Sequence, residues 1–218
     1  MEIAASNKEG LGMGKSVGPL NLDDISISPE YRKSDWQAAC AGGEWDKMVE
    51  IFRDRIESRF LKPIRLIAEH HDMGAFSGFS ILALDCLIIE TLNQFYSGLD
   101  ETKGSHEKAF WNFFKNSEFF KDHFPQEKNA SIFYKHIRCG ILHQAQTKKK
   151  SVVRIDQEAM IQSVEGDISE SLIVDRSKFH EAVENEISSY MKRLKNGDEE
   201  NAELRRNFVK KMNFICGA

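Results

Sequence analysis

The sequence has no closely spaced pair of cysteines. Its 218 residues include four cysteines, and no two of them have the C-x-x-C spacing of a redox or zinc motif. This distribution excludes a zinc ribbon and a secreted domain held together by disulfides. We therefore expect a reducing, cytoplasmic setting. The four residues are Cys40, Cys86, Cys139 and Cys216.

A long uncharged apolar segment is also missing. The opening residues, MEIAASNKEG, show no basic region followed by an apolar run, which argues against a signal peptide. The most apolar stretch, residues 76–96, contains Asp85, Glu90 and Asn93. Its longest uncharged run is shorter than the roughly 20 apolar residues that a membrane-spanning helix needs. This stretch predicts a central buried helix, and we expect no membrane association.

The chain lacks an excess of positive charge. Lys and Arg number 30 against 34 Asp and Glu, which gives a net charge of −4. This balance excludes a polybasic nucleic-acid binder, so any nucleic-acid site must be a local patch. Hydrophobic residues at 41% and charged residues at 29% are typical of a globular protein and exclude wholesale disorder.

Composition and periodicity divide the chain into three segments. Residues 1–30 are rich in Gly, Ser and Asn and lack a sustained period, which predicts a mobile arm. Residues 31–147 repeat apolar side chains every three or four positions, which predicts a four-helix bundle. Residues 148–218 predict a small antiparallel β element and two helices packed on the bundle. The predicted helices cover 44–70 (with a kink or break at Pro63), 76–96, 106–124, 125–147, 177–194 and 199–215, and the predicted strands cover 151–155, 158–164 and 169–174.

Two features resemble binding motifs without fulfilling them. Residues 10–16 read GLGMGKS, but a phosphate-binding loop needs Gly where Glu9 stands and an apolar strand before the loop. Seven aromatic residues lie within 106–124, a density that favours core filling over a base-stacking platform.

Arg138 and His143 are the candidate catalytic pair. Five positions on a helix correspond to about 140° of rotation and about 7.5 Å of rise, so the two side chains do not share one face of an ideal helix. Long side chains can still converge at one edge of a cleft, and Gly140 between them permits a local distortion. The Arg guanidinium forms bidentate hydrogen bonds with phosphate, and the His imidazole gains or loses a proton near neutral pH. Together they can cleave RNA without a metal, because a base removes the ribose 2′-OH proton while the cation stabilises the developing charge.

Spacing alone does not select this pair, because Arg65 and His70 have the same separation. Acidic neighbours surround that second pair, whereas positive charge surrounds the first, as a phosphate site needs. The basic run at 148–150 has an alternative interpretation as a solvated end of a helix, stabilised by the negative helix C-terminus. The predicted RNA-binding residues are Lys135, His136, Lys148, Lys149 and Lys150.

The segment FYKHIRCGILHQAQT, residues 133–147, resembles the Arg-x4–6-His signature of HEPN domains. The order of predicted helices over residues 44–147 is also similar. This resemblance implies a usually dimeric, all-helical fold and, in many members, a metal-independent ribonuclease of bacterial toxin or anti-phage defence systems. It implies that Arg138 contacts the scissile phosphate, that His143 is the acid–base residue, and that two copies face each other.

The match departs from the family pattern at two positions. Cys139 follows the Arg where many members have a polar residue, and Ala145 stands where one toxin branch has Tyr. Some family members are inactive binding modules, so fold and activity are separate hypotheses. The alternative function is a catalytically inactive scaffold or binding module with a protein partner in a defence or toxin–antitoxin system.

Two acids in the most apolar helix need partners, because an unpaired buried charge is costly. Asp85 and Glu90 could orient Arg138 or His143, or could pair with an Arg of the first helix. His136, Cys139 and His143 share a helix face and could be three metal ligands, but no fourth ligand lies near them in the sequence. We therefore predict no metal and no cofactor.

Overall fold

The computed structural model describes residues 23–163 and 171–217, and this part of the chain is mainly helical with a small three-stranded sheet. The mainly helical class and the presence of a small β element were predicted from the sequence. The helices are α1 Lys33–Gly42, α2 Trp45–Ile56, α3 Lys62–Glu69, α4 Gly78–Ser97, α5 His106–Asn116, α6 Glu127–Ile132, α7 Cys139–Gln144, α8 Arg176–Lys195 and α9 Ala202–Cys216; the strands are β1 Val152–Arg154, β2 Ile161–Ser163 and β3 Leu172–Asp175.

Helix α4 is the centre of the core, as its apolar sequence predicts. It packs against α5, α8 and α9, and Ile88, Ile89 and Leu92 are fully buried. Among the described residues, α4 is long and apolar enough to cross a membrane by length and composition, but 56% of the apolar window is buried inside the fold. Burial on several sides explains why its apolar residues are not confined to one stripe.

Aromatic side chains fill the core between α5 and α8. The Phe114 ring stacks on Phe124 with centroids 3.9 Å apart, and Phe133 stacks on Phe179 at 5.0 Å. Phe110, Phe113, Phe114, Phe120 and Phe124 are all at most 3% exposed. These contacts confirm that the dense aromatic residues of this region are core residues.

The first long helix continues through Pro63. A π-helical turn at Glu57–Leu61 connects α2 to α3, and Pro63 lies in the first turn of α3. The π turn shifts the hydrogen-bond register just before Pro63, so the helix accommodates a residue that lacks an N–H donor. The chain is therefore helical from Trp45 to Glu69.

The structure adds to or differs from the sequence predictions at three places. Within the predicted arm, Ile27 and Ser28 are buried, at 1% and 2% exposed, although residues 25–26 and 29–30 are exposed. The GLGMGKS segment lies outside the described residues. Helix α1 was not predicted, because it buries only Trp36 and Ala39 and so shows no clear stripe. Helix α5 ends at Asn116, and residues 117–124 form turns whose aromatic rings are nevertheless buried.

The sheet is mixed, which corrects the antiparallel prediction. The strand order is β1-β3-β2, with β1 parallel and β2 antiparallel to β3. The Ser151 hydroxyl accepts a 3.1 Å hydrogen bond from the Leu172 amide where β1 and β3 meet. Alternating side chains indicate which face of a strand is buried, but they do not specify the direction of its partner.

Candidate functional site

Arg138 lies at the end of a π-helical turn, Phe133–Arg138, that joins α6 to α7. The extra residue of such a turn shifts the helix faces relative to an ideal α-helix. This distortion ends at Arg138 and does not lie between Arg138 and His143, where Gly140 would permit one. Gly140 has a different role, because a Cβ there would lie 2.6 Å from the Gln146 carbonyl oxygen, where the chain returns past the helix.

The Arg138 guanidinium is held by Glu90 of α4. Its Nη2 donates to Glu90 Oε2 at 3.2 Å, and the guanidinium carbon lies 5.4 Å from the Tyr134 ring centroid. The Arg138 side chain is only 17% exposed, and its buried Nε has no hydrogen-bond partner among the described residues. Burial opposes the charged form and is the largest single effect, but Glu90 together with Tyr134 and Cys139 outweighs it and raises the pKa of Arg138, which keeps the cation charged.

The same carboxylate also binds His106, the first residue of α5. His106 Nδ1 and Glu90 Oε1 are 2.8 Å apart, so Glu90 bridges an imidazole and a guanidinium through its two oxygens. A carboxylate that fixes one ring nitrogen leaves the other, Nε2, available for proton transfer. The sequence analysis missed His106, and no spacing signal could have found it, because the contact joins helices 16 positions apart.

A small cavity of about 240 Å³ opens beside Arg138. Most drug-sized ligands occupy cavities larger than this, whereas a phosphate group is compact enough for it. The cavity brings the guanidinium, the Glu90 carboxylate and several polar groups of α4 together. Its lining residues are Ala83, Cys86, Leu87, Glu90, Thr91, Gln94, Arg138 and Leu142.

His143 does not line this cavity, although its neighbour Leu142 does. The His143 side chain is exposed in the last turn of α7, which ends where Ala145 adopts a left-handed conformation with φ of 51°. Within residues 23–163 and 171–217, it makes no hydrogen bond or ion pair. Arg138 and His143 therefore lie on one continuous helix, with the guanidinium at the cavity and the imidazole in solvent.

Two of the predicted RNA-binding residues have structural contacts. Lys135 forms an ion pair of 3.1 Å with Glu107 and a hydrogen bond to Ser131. His136 is 8% exposed, and its Nδ1 lies 3.5 Å from the Ser151 hydroxyl. The His136 side chain is therefore buried against protein, and its contact with RNA stays a prediction.

The basic run after α7, residues 148–150, has a backbone conformation fixed by a hydrogen bond to the preceding helix and by two positive φ angles. The Lys148 amide donates to the His136 carbonyl at 3.0 Å, which fixes the returning chain against the π turn. Lys149 and Lys150 both have positive φ, and both side chains are exposed. Their charges therefore lie in solvent near the end of the helix that carries Arg138.

Asp85 contacts neither Arg138 nor an Arg of the first helix. It is fully buried, and its Oδ1 lies 2.8 Å from His180 Nδ1. Burial raises the pKa of Asp85 above its usual value. Burial opposes the charged form of His180 and is the largest single effect, but the hydrogen bond to Asp85 and the negative charges of Asp85 and Glu184 together outweigh it and raise the pKa of His180. Of the two predicted orienting acids, Glu90 alone contacts the predicted catalytic pair.

The second Arg–His pair is unsuited to phosphate. The Arg65 guanidinium binds the carboxylates of Glu57 and Glu184, so its donors are already occupied. In the described part of the chain, the possible metal ligands that come together are His70, His71 and Asp72, all exposed. His136, Cys139 and His143 do not form such a group there.

Comparisons with protein-family models, with curated proteins and with solved structures find no match to this chain.

Proposed function

We propose that this protein is a metal-independent RNA endonuclease of HEPN type that acts as a homodimer in a bacterial toxin or anti-phage defence system. The observation that carries the proposal is the oriented guanidinium of Arg138 beside a phosphate-sized cavity, on the helix that also carries His143. The exposed Lys149 and Lys150 add positive charge near that helix, which favours a polyanionic substrate.

The proposed reaction needs one base, one acid and one fixed cation. A neutral imidazole takes the proton of the ribose 2′-OH, and the freed oxygen attacks the adjacent phosphorus. An imidazolium or water then protonates the departing 5′-oxygen as its bond to phosphorus breaks, leaving a cyclic phosphate. Arg138 stabilises the charge that develops on the phosphate oxygens. His143 is the acid–base residue implied by the family resemblance, and His106 is a second candidate because it shares Glu90 with Arg138.

A catalytically inactive binding module is the second candidate function. The position of His143 outside the cavity favours it, as does the ion pair of Arg138 with Glu90, which a purely structural arginine would also make. Under this alternative, the same surface holds a protein partner or RNA without cleaving it.

The experiment measures cleavage of a labelled single-stranded RNA in the presence of EDTA. Arg138→Ala and His143→Ala should each lower the cleavage rate by about 100-fold or more, because each removes a group that acts in the transition state. Arg65→Ala and His70→Ala are matched controls with the same spacing and should retain the wild-type rate.

Four outcomes would revise or reject the proposal. Activity that survives loss of Arg138, or that disappears with EDTA in the wild-type protein, contradicts metal-free cleavage at this site. A rate that depends on His106 and not on His143 would transfer the acid–base role to His106. A wild-type protein that binds but never cleaves RNA would support the inactive module.

A further inference from the structure

A large groove lies along the solvent-facing side of α9, far in sequence from Arg138. It has a volume of about 850 Å³, within the range of ligand-binding clefts. Residues of α9 that recur every three or four positions line it, and Trp45 lies beside them, in contact with Arg205. The lining residues are Trp45, Asp100, Gly197, Ala202, Arg205, Arg206, Val209, Lys210, Asn213 and Phe214.

Positive charge predominates in this groove although the whole chain is acidic. Arg205, Arg206 and Lys210 line it, and Asp100 is the one acidic residue among the lining residues. Within residues 23–163 and 171–217, none of the three cations forms an ion pair. Three cations without anionic partners in one groove favour an anionic ligand.

Aromatic rings accompany these cations. The Arg205 guanidinium carbon lies 3.5 Å above the centre of the Trp45 ring, which holds it flat against the groove wall. Its Nε is buried and has no hydrogen-bond partner among the described residues. Phe214 is 50% exposed, so one face of an aromatic ring is available in the same groove.

We propose that this groove binds single-stranded RNA, with bases stacking on Phe214 and on the guanidinium of Arg205 and with phosphates held by Arg206 and Lys210. Exposed aromatic rings combined with cations are the general means of binding single strands without reading sequence. Arg206, Lys210 and Phe214 follow one another at intervals of one helical turn, about 6 Å of rise each, so they form a row along which a strand can lie. The proposal extends the proposed function to a second contact with the substrate, outside the Arg138 cavity.

The size of the groove favours a single strand over a duplex. Its α9 wall spans residues 202–214, about 18 Å of helix, which suits a few nucleotides. Domains that recognise double-stranded RNA by its shape contact a longer surface, about 16 base pairs. Unstacked bases are also needed for contact with Phe214, and a duplex does not offer them.

The test measures binding of a fluorescent oligouridylate by anisotropy in EDTA. All proteins carry Arg138→Ala, so that binding is measured without cleavage and independently of the proposed reaction. Arg206→Ala with Lys210→Ala should weaken binding and reduce the slope of log affinity against log salt by about 1.4, because two phosphate contacts are lost. Phe214→Ala should weaken binding about fivefold or more through loss of stacking. Circular dichroism checks that each variant is folded.

A matched control separates this groove from general electrostatics. Lys121→Ala with Lys128→Ala removes the same charge from exposed positions outside the groove and should leave affinity within about twofold at moderate salt. Groove variants that bind RNA as tightly as this control would overturn the proposal.

Two competitors identify the ligand. Polyglutamate that displaces the RNA as effectively as unlabelled oligouridylate would overturn the proposal by showing a site that responds to charge alone. Uridine monophosphate that displaces the strand at equal nucleotide concentration would assign the groove to a free nucleotide and overturn the single-strand assignment. Displacement by oligouridylate alone supports the proposal.

Discussion

At the scale of single residues, Glu90 decides the geometry of the candidate site. One carboxylate with 18% of its side chain exposed binds both Arg138 and His106, so its removal leaves two groups without their partner. The ion pair of Lys135 with Glu107 is more exposed, at 58% and 32% of the two side chains. Water screens an exposed pair far more than a partly buried pair.

We predict that Glu90→Gln lowers the free energy of unfolding by about 1–3 kcal/mol, because charge-assisted hydrogen bonds to Arg138 and His106 become weak or are lost. Glu107→Gln is the matched control and should cost about 0–1 kcal/mol. Urea denaturation measures both variants. Equal destabilisation by the two substitutions would contradict a special structural role for Glu90.

At the scale of elements, the helix carrying Arg138 depends on the chain that returns past it. The Gln146 amide donates to the Gly140 carbonyl at 3.3 Å, and the Lys148 amide donates to the His136 carbonyl at 3.0 Å. This return brings residues 146–148 against α7 so closely that only glycine fits at 140. The backbone after the helix thus stabilises the π turn that places Arg138.

We predict that Gly140→Ala destabilises the protein by about 1–3 kcal/mol, because the new methyl group would overlap backbone atoms of Gln146 and Thr147. This cost exceeds the gain of about 1 kcal/mol that alanine normally brings to a helix interior. Gly42→Ala is the control, because its nearest neighbour is the flexible Glu44 carboxylate, and it should change stability by less than about 1 kcal/mol. A Gly140→Ala protein as stable as the Gly42→Ala control would show that the returning chain shifts freely.

At the scale of the whole molecule, a chain of charged groups joins helices that are distant in sequence. Asp85 of α4 binds His180 of α8, and Glu184 of α8 lies 3.6 Å from His180 Nε2. Glu184 also binds Arg65 of α3, which extends the connection to the first long helix. These contacts connect the central helix to two helices that surround it.

We predict a pH-dependent contribution of His180 to stability. Its pKa is raised above 6.5 in the folded protein, so its contribution is complete below pH 6.5 and is lost as pH rises through the raised pKa. His180→Gln should lower the free energy of unfolding by about 3 kcal/mol or more near pH 6, because Asp85 loses its buried partner. The difference between wild type and variant should shrink at higher pH.

Urea denaturation at several pH values between 6 and 9 measures this difference. His143→Gln removes an exposed histidine that makes no hydrogen bond or ion pair within the described part of the chain, so it should follow the wild-type curve. A difference between wild type and His180→Gln that stays constant with pH would contradict the charged pair.

The spacing of apolar residues along the sequence predicted the helices whose buried side chains recur every three or four positions. Helix α8 was predicted over 177–194 and found at Arg176–Lys195, and α4 and α9 agree to within a few residues at their ends. The aromatic run around Phe113 and Phe120 predicted burial correctly but helix length wrongly, because turns can also bury aromatic rings. Helix α1 was not predicted because it buries too few residues to show an apolar stripe. The parallel pairing of β1 with β3 was not predicted because the alternation of apolar and polar side chains along a strand does not specify the direction of its neighbour.

The sequence by itself determined a mainly helical protein with α4 at its centre, because the spacing of apolar residues follows directly from which helix faces are buried. It also determined that Arg138 and His143 share one helix. Only the tertiary structure decided that Glu90 binds Arg138 and His106, that Asp85 binds His180, and that His143 lies outside the cavity. Each of these contacts or positions depends on how separate helices pack, and packing depends on the side chains of every neighbour at once.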